Sequence, residues 1–219
     1  MRTYFVSGVD TDAGKTYVTA RIAARLKADG EDVITQKPVQ TGCAGMAEDI
    51  EEHRRVMQGG ILPEDREGLT CTYLFRKPAS PALAARMEGA AIDPARIDSD
   101  TEALAQRHGI VLIEGAGGLM VPLTDDLLTI DYVASRRLPL ILVTTSKLGG
   151  INHALLSIEA CKTHGVDLHI VVFNRLPQDE DVMADDALHE IRKFTAKIFP
   201  QARILDFRDQ ASLSNIKLP

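Results

Sequence analysis

The chain has 219 residues, of which 45% are hydrophobic and 26% charged, and its formal net charge is −6, from 25 Lys and Arg against 31 Asp and Glu. This size suits one globular domain spanning residues 1–219, and the acidic balance argues against a nucleic-acid surface held by bulk electrostatics. The sequence has neither a basic leader followed by an apolar stretch nor eighteen consecutive apolar residues. We therefore expect a cytoplasmic protein whose partners are small molecules rather than nucleic acid or membrane.

The first motif lies between an apolar run at residues 4–6 and a helical pattern that begins at Lys15. Gly8 and the triplet Gly14-Lys15-Thr16 predict a strand, a phosphate loop and a helix. Glycine lets the backbone approach phosphates, the helix start adds a positive dipole end, the lysine reaches the outer phosphates, and the threonine hydroxyl can hold Mg²⁺. Five residues rather than the usual four separate the two glycines, and an ordinary capped helix start is the alternative interpretation.

Two carboxylates, Asp10 and Asp12, stand inside this loop. They are unusual neighbours for a polyphosphate. We interpret them as a sign that something cationic, a metal or an amine, shares the site.

Lys37 and Thr41 follow a short predicted strand at residues 33–35, which comes after a helix predicted from Lys15 to about Asp29. In open α/β sheets the ligand crevice lies beyond the carboxyl ends of the strands, so both residues should face the same crevice as Lys15. A second cation there would stabilise charge that develops on a transferring phosphoryl group. A solvated lysine at a strand end is the alternative.

Glu114 ends a buried-strand pattern at residues 109–113 and is followed by Gly115-Ala116-Gly117-Gly118. A carboxylate at the end of a central strand near a phosphate loop is typical of a second magnesium ligand. The glycines would also let a substrate or a phosphate approach the backbone. The alternative is a tight glycine-rich turn with an incidental glutamate.

The rest of the chain alternates short apolar strands with helical patterns, which predicts a mostly parallel sheet with helices on both faces, a P-loop α/β fold. Residues 61–72 look irregular. The helix predicted from about Asn152 should offer bare N–H groups that suit a carboxylate. The predicted helices lie at about 47–57, from Ser80-Pro81 onward, 94–107, 152–164 and 179–199, and the further strands at 138–144, 168–173 and 203–207.

Cysteines and histidines give no metal signal. Cys43, Cys71 and Cys161 are widely spaced and odd in number, so we expect reduced thiols rather than a disulfide framework or a zinc site. The histidines are scattered without a ligand-like cluster and are predicted to be surface or helix-end residues. They are His53, His108, His153, His164, His169 and His189.

Five blocks of sequence, in order from Thr3 to about Asn174, resemble the dethiobiotin synthetase family. The blocks are residues 10–16 (DTDAGKT), 37–42 (KPVQTG), 79–81 (ASP), 114–118 (EGAGG) and 147–153 (KLGGINH). The resemblance implies an ATP-dependent enzyme of biotin synthesis that closes a ureido ring on 7,8-diaminononanoate with CO2 and Mg²⁺ and releases ADP and phosphate. It also implies a route through a carbamate and a carbamic-phosphoric anhydride.

The resemblance further implies a role for each matched residue, and a homodimer whose interface supplies part of the substrate site. The catalytic residues would be Lys37, Lys15, Thr11 and Asp12, and the metal ligands Thr16, Asp49 and Glu114. The nucleotide-binding residues would be Asp12, Ala13, Gly14, Lys15, Thr16, Tyr17, Asp49, Glu114, Gly115, Ala116, Gly117 and Asn174. The substrate-binding residues would be Lys37, Thr41, Gly118, Leu148, Gly149, Gly150, Ile151 and Asn152.

The C-terminal part departs from the family pattern. Asn174 matches an adenine-reading asparagine, but residues 175–177 continue differently and no Gly-x-Ile-Pro segment follows. Because no aspartate stands three residues after Asn174, as it does in guanine-specific loops, ATP is favoured over GTP.

Two other hypotheses share the loop. A partitioning or positioning ATPase would carry a second lysine early in the loop, where this chain has Asp10. An amide-forming ligase that acts on a corrin intermediate would need a longer chain with a glutaminase half.

Overall fold

The computed structural model describes residues 2–176, 180–208, 210–214, 216 and 218. Its strands are β1 Arg2–Gly8, β2 Val33–Gln36, β3 Val39–Thr41, β4 Tyr73–Phe75, β5 Ile110–Gly118, β6 Leu140–Thr145, β7 Leu168–Asn174 and β8 Arg203–Phe207. Its helices are α1 Lys15–Ala28, α2 Glu48–Val56, α3 Pro63–Arg66, α4 Pro81–Met87, α5 Pro94–Arg107, α6 Thr129–Ser135, α7 Gly150–Thr163 and α8 Asp181–Ile198. Short 3-10 turns lie at Thr11–Ala13 and Gln210–Leu213.

Six strands form one sheet in the order β2-β5-β1-β6-β7-β8, and all its described pairings are parallel. The predicted fold class is therefore confirmed. The carboxyl ends of β1, β2, β5 and β6 meet at one edge of the sheet, and the loops that follow them carry the candidate functional residues. This is the edge where open parallel sheets bind ligands.

The sheet is buried on both faces because neighbouring residues of each strand point to opposite sides. Phe5 and Ile113 pack with α5, α6, α7 and α8 on one face, while Tyr4 and Val6 pack with α1 on the other. This explains why the strands read as continuous apolar runs. In the part of the chain that the structure describes, no helix is long and apolar enough to cross a bilayer.

Strand β5 is longer than predicted, which corrects the position of Glu114. The strand runs on to Gly118, so Glu114 lies within it, paired with Val6, and not at its end. Glycine at position 115 is required by packing, because a Cβ there would lie 2.8 Å from the ring of Phe5. Glycines that resemble a turn in the sequence thus continue the strand.

The region between β2 and α4 was predicted least well. Strands β3 and β4 pair in a separate two-stranded parallel sheet, and the region predicted to be irregular contains α3. Elements of three or four residues carry too little periodicity to be recognised. A separate hydrogen bond, from the N–H of Lys37 to the carbonyl of Thr70 at 2.7 Å, ties the segment after β2 to the segment before β4.

The other boundaries agree with the predictions within a few residues. Helix α1 ends one residue before the predicted end, and Gly30 follows with a φ of 89°. Helix α7 begins at Gly150, two residues early, and α6 was not predicted. The predicted first residue of the last helix, residue 179, lies outside the described residues.

Candidate active site

The phosphate loop has the predicted strand, loop and helix arrangement. Asp10 accepts a hydrogen bond at 2.7 Å from the N–H of Thr11, and the 3-10 turn that follows leads into Gly14, whose φ is 86°. A residue with a side chain is strained in this left-handed conformation. Helix α1 starts immediately afterwards, so its free N–H groups and positive dipole end face the loop.

Lys15 is buried and folds back over its own loop. Its Nζ donates to the carbonyl oxygens of Asp10 at 3.0 Å and Thr11 at 3.2 Å. Burial and the nearby charge of Lys37 lower the pKa of Lys15 to about 8. Two carbonyl groups stabilise an ammonium less than phosphate oxygens do, so this lysine is poised to gain from an anion.

Lys37 is also buried, and three acceptors surround its ammonium group. Its Nζ lies 2.6 Å from Asp49 Oδ2, 2.8 Å from Glu114 Oε1 and 3.0 Å from the carbonyl oxygen of Gly115. Burial lowers the pKa of Lys37, but the charges of Glu114 and Asp49 outweigh it and raise that pKa. The alternative of a solvated lysine is wrong, because Lys37 is 5% exposed. Its charge lowers the pKa of Lys15, so the two lysines lie near each other.

Glu114 connects the phosphate loop with the residues that follow β2. The hydroxyl of Thr16 donates to its Oε1 at 2.8 Å, and its Oε2 lies 2.8 Å from His53 Nε2. Burial raises the pKa of Glu114, but the charge of Lys37 and the bond to His53 outweigh it and hold that pKa well below its usual range. Glu114 is therefore a carboxylate at neutral pH.

The oxygen atoms at this point suit a magnesium ion. A hydroxyl oxygen from Thr16 and carboxylate oxygens from Glu114 and Asp49 are hard donors of the kind that Mg²⁺ takes, with the nucleotide and water completing its shell. The described residues contain no cluster of three His, Cys, Asp or Glu side chains able to hold a metal. A metal here would thus depend on phosphate oxygens, and it would meet Lys37, whose Nζ contacts both carboxylates.

The start of α7 forms a second group, separated from Lys37 by the width of two strands, β5 and β1. Gly149 has a φ of 88° and precedes the helix, and Leu148 is 84% exposed. The N–H of Gly150 donates to the carbonyl of Lys147 at 2.7 Å, so it is not among the bare N–H groups at the helix start. Helix geometry leaves the N–H groups of the next two residues, 151 and 152, for an anion.

Two predicted nucleotide-binding residues lie on the side of the phosphate loop that faces away from Glu114. Asn174 ends β7 and donates from Nδ2 to the carbonyl of Ala13 at 3.0 Å, which ties this strand end to the loop. Tyr17 packs edge-on against Phe207, with ring centroids 5.6 Å apart. Thr41 ends β3 in the separate two-stranded sheet, and β3 contacts β5.

His53 was predicted to be a surface or helix-end residue. It does lie in the last turn of α2, but it is fully buried beside Glu114, so its place in the site was not foreseen. Its other nitrogen, Nδ1, lies 3.0 Å from the hydroxyl of Thr35. One signal could have found it. His53 stands four residues after Asp49 on α2, and such residues share one face of a helix.

Similar proteins of known name share one activity, dethiobiotin synthesis. A family model described as an AAA domain matches residues 2–204. A protein named ATP-dependent dethiobiotin synthetase BioD 2 from Pasteurella multocida (strain Pm70) is 41% identical over 199 residues, which cover 91% of this chain and 93% of the relative. ATP-dependent dethiobiotin synthetase BioD from Chlorobaculum tepidum is 48% identical over 181 residues, covering 82% and 76% of the two chains.

Solved structures with the same fold have more distant sequences. The hydrogenase maturation factor HypB from Archaeoglobus fulgidus superposes with a TM-score of 0.54 at 14% identity, over 94% of this chain and 81% of that chain. A MinC:MinD cell division complex from Aquifex aeolicus gives 0.52 at 14% identity, over 98% and 86%. At this identity the likeness shows the fold alone.

Proposed function

The chain belongs to the ATP-dependent dethiobiotin synthetase family, and from this premise we propose how its own residues carry out the reaction. The protein is an ATP-dependent ligase of biotin biosynthesis, which forms dethiobiotin. The observation that carries the proposal is the buried ammonium of Lys37, held between Asp49 and Glu114 beside the phosphate loop.

The proposed reaction has three steps. One amine of 7,8-diaminononanoate takes up CO2 and forms a carbamate, with loss of a proton. A carbamate oxygen attacks the γ-phosphorus of ATP, ADP leaves, and a carbamic-phosphoric anhydride results. The second amine attacks the carbamoyl carbon, phosphate leaves with the electron pair of the broken bond, and a second proton is released as the ureido ring closes.

The two lysines stabilise the charge that moves in these steps. Lys15 exchanges the carbonyl groups of Asp10 and Thr11 for phosphate oxygens, and gains because phosphate is the stronger acceptor. Lys37 exchanges carboxylate partners for the carbamate and the transferring phosphoryl group, whose negative charge its ammonium can stabilise. Thr11 and Asp12 would lie beside the reacting diamine, and Thr41 would hydrogen-bond to it.

Thr16, Asp49 and Glu114 would hold Mg²⁺, which supplies charge neutralisation on the phosphates when it is bound. The hydrogen bond from Thr16 to Glu114 supports this assignment, because it brings the loop hydroxyl and the β5 carboxylate to one point. Gly14, Tyr17 and the backbone at residues 115–117 would complete the nucleotide site. Asn174 would contact the adenine.

The substrate carboxylate would bind at the start of α7, contributed by the partner of a homodimer. Exposed apolar side chains support an interface there, since Leu148 and Val182 are 84% and 78% exposed and line one groove. The three free thiols support a reducing cytoplasm. The positioning-ATPase alternative has less support, because Asp10 stands where that class carries its second lysine and caps its own loop.

The experiment is phosphate release by the purified protein with Mg²⁺, ATP and bicarbonate, with and without 7,8-diaminononanoate, followed by mass spectrometry of the product. We expect release that depends on the diamine, with one ring-closed product for each phosphate. Release without the diamine, or with an uncyclised product, would contradict the proposed steps. Light scattering during size-exclusion chromatography measures the molecular mass in solution and so tests the homodimer. A monomer at the assay concentration would contradict it.

A further inference from the structure

A line of buried polar side chains runs from Glu114 away from the crevice and into the protein. His53 bonds to Glu114, Thr35 bonds to His53, and Arg54 bonds to Thr35, while Asp65 neutralises Arg54. The first four side chains are at most 2% exposed. Buried polar groups of this kind destabilise a protein unless each has a partner, so an extended line of them calls for a functional reason.

The donors along this line can be assigned in order. Arginine can only donate, and Arg54 Nη1 lies 2.8 Å from Thr35 Oγ1, so that hydroxyl oxygen accepts. The hydroxyl hydrogen is then free to point to His53 Nδ1 at 3.0 Å. Glu114, as a carboxylate, can only accept, so His53 carries a hydrogen on Nε2 and donates it to Glu114 Oε2 at 2.8 Å.

This bond divides the two oxygens of Glu114 between two tasks. Oε2 is held from the protein interior by His53, while Oε1 faces Thr16 and Lys37 at the crevice. The hydrogen bond at Oε2 restricts rotation of the carboxylate and so favours one direction for Oε1. Histidine and carboxylate partners behind a ligand commonly fix the orientation of that ligand.

We propose that His53 is a positioning residue of this enzyme, which, together with Thr35 and Arg54, fixes Glu114 Oε1 in the direction of the metal–nucleotide. The proposal rests on the proposed function, in which Glu114 binds Mg²⁺. His53 itself contacts neither substrate nor metal. Asp49 lies on the same helix, so α2 contributes both a ligand and the support of a second ligand.

The test measures metal binding directly, by electron paramagnetic resonance titration of Mn²⁺ into protein saturated with a non-hydrolysable ATP analogue. We expect His53→Leu to weaken Mn²⁺ binding by about 10- to 100-fold, the range seen when the partner of a metal ligand is removed. Nucleotide affinity measured without metal should change less than about twofold, since the residue does not face the phosphate loop. His53→Gln keeps an N–H donor of similar reach and should recover most of the affinity.

A matched control is available outside the site. His108 bonds through Nδ1 to Asp32 at 2.8 Å, the same distance as the pair of interest, and His108→Leu should leave Mn²⁺ affinity unchanged. Circular dichroism and the thermal midpoint establish that each variant is folded. If His53→Leu does not fold, His53→Gln and Thr35→Val carry the test, with Thr35→Val expected to weaken Mn²⁺ binding and Thr35→Ser to retain it.

The possible results distinguish a failure of the positioning role from a failure of the proposed function. Unchanged Mn²⁺ affinity in His53→Leu, or equal losses in His53→Leu and His53→Gln, would overturn the positioning role and leave the proposed function intact. Wild-type protein that binds the nucleotide but no Mn²⁺ would overturn the metal site itself, and the inference with it.

Discussion

Replacing Lys37 with methionine should both abolish turnover and destabilise the protein, because it leaves a fully buried carboxylate without its cation. Glu114 is 0% exposed, and its remaining partners among the described residues would be His53 and Thr16. Removing one partner of a buried ion pair costs about 3–5 kcal/mol. ATP binding should persist, since the site of Lys15 is intact.

The loss of stability should depend on pH in a defined direction. In the wild-type protein the pKa of Glu114 lies below its usual value of 4.5, so its stabilising contribution is present above that pH and is lost only on strong acidification. In Lys37→Met the chief cause of the low pKa is gone, and burial raises it instead. The variant is therefore least stable relative to wild type near pH 8.5, and the difference shrinks as Glu114 takes up a proton toward pH 5.

Urea unfolding at fixed protein concentration, with a chelator present, measures this difference at each pH. In the Lys37→Met background Glu114→Gln should recover stability, whereas in the wild-type background it should lose it. Lys193 is exposed and bonds to Glu190 at 3.0 Å, so Lys193→Met is the control and should change stability by less than about 0.5 kcal/mol. A cost for Lys37→Met that is equal from pH 5 to pH 8.5, with no recovery in the double variant, would refute the reasoning.

Three further predictions concern the phosphate loop and the start of α7. The pKa of Lys15 is about 8, and bound phosphates would raise it, so ATP binding should take up a proton near pH 8.5 and ATP affinity should fall up to about tenfold per pH unit above pH 8.5. Calorimetry in buffers of different ionisation enthalpy measures the proton uptake and the affinity. A constant ATP affinity from pH 7 to 9.5 would contradict this prediction. A Cβ on Gly150 would lie 2.4 Å from the carbonyl oxygen of Thr145 at the end of β6. Gly150→Ala should therefore raise the KM for the diamine at least about tenfold and change the KM for ATP little. Equal changes in the two KM values would mean that the substrate carboxylate binds elsewhere. Gly14→Ala would combine a φ of 86° with a Cβ 2.4 Å from Asn174 Nδ2, and should weaken ATP binding in addition to a strain of about 1–2 kcal/mol. The matched control is Gly30→Ala, since Gly30 has a φ of 89° and no described atom lies within 4 Å of a Cβ placed there. This control should lose stability and keep its ATP affinity. Equal ATP affinities in the two variants would show that the contact with Asn174 has no effect.

Much of the fold follows from local sequence, because a parallel sheet covered on both faces needs apolar runs separated by helices. The phosphate loop was predictable for a similar reason, since its glycine, lysine and threonine are adjacent in sequence. Glu114 was recognised but misplaced, because the glycines after it resemble a turn. Only the packing of Phe5 against Gly115 shows why the strand continues.

The buried residues that hold Glu114 could not be predicted from local sequence. His53, Thr35 and Arg54 form a line only when β2, α2 and β5 have come together, and none of the three belongs to a sequence motif. Their hydrogen bonds join residues on different elements. From the sequence alone these polar residues are predicted to be exposed, whereas in the structure they are buried. The four-residue spacing from Asp49 to His53 is the one local trace of it.

The central position of β1 has a consequence for the order in which the protein folds. Its partners are β5 and β6, so Phe5 pairs with Ile113 and Leu140, and the bond between Thr16 and Glu114 spans 98 positions. During synthesis the first strand must wait until most of the chain has left the ribosome, and contacts of such long sequence separation form slowly. A nascent chain thus carries its nucleotide motif from the start but acquires a nucleotide site near the end of synthesis, so ATP should act as a ligand for the finished fold rather than a template for it.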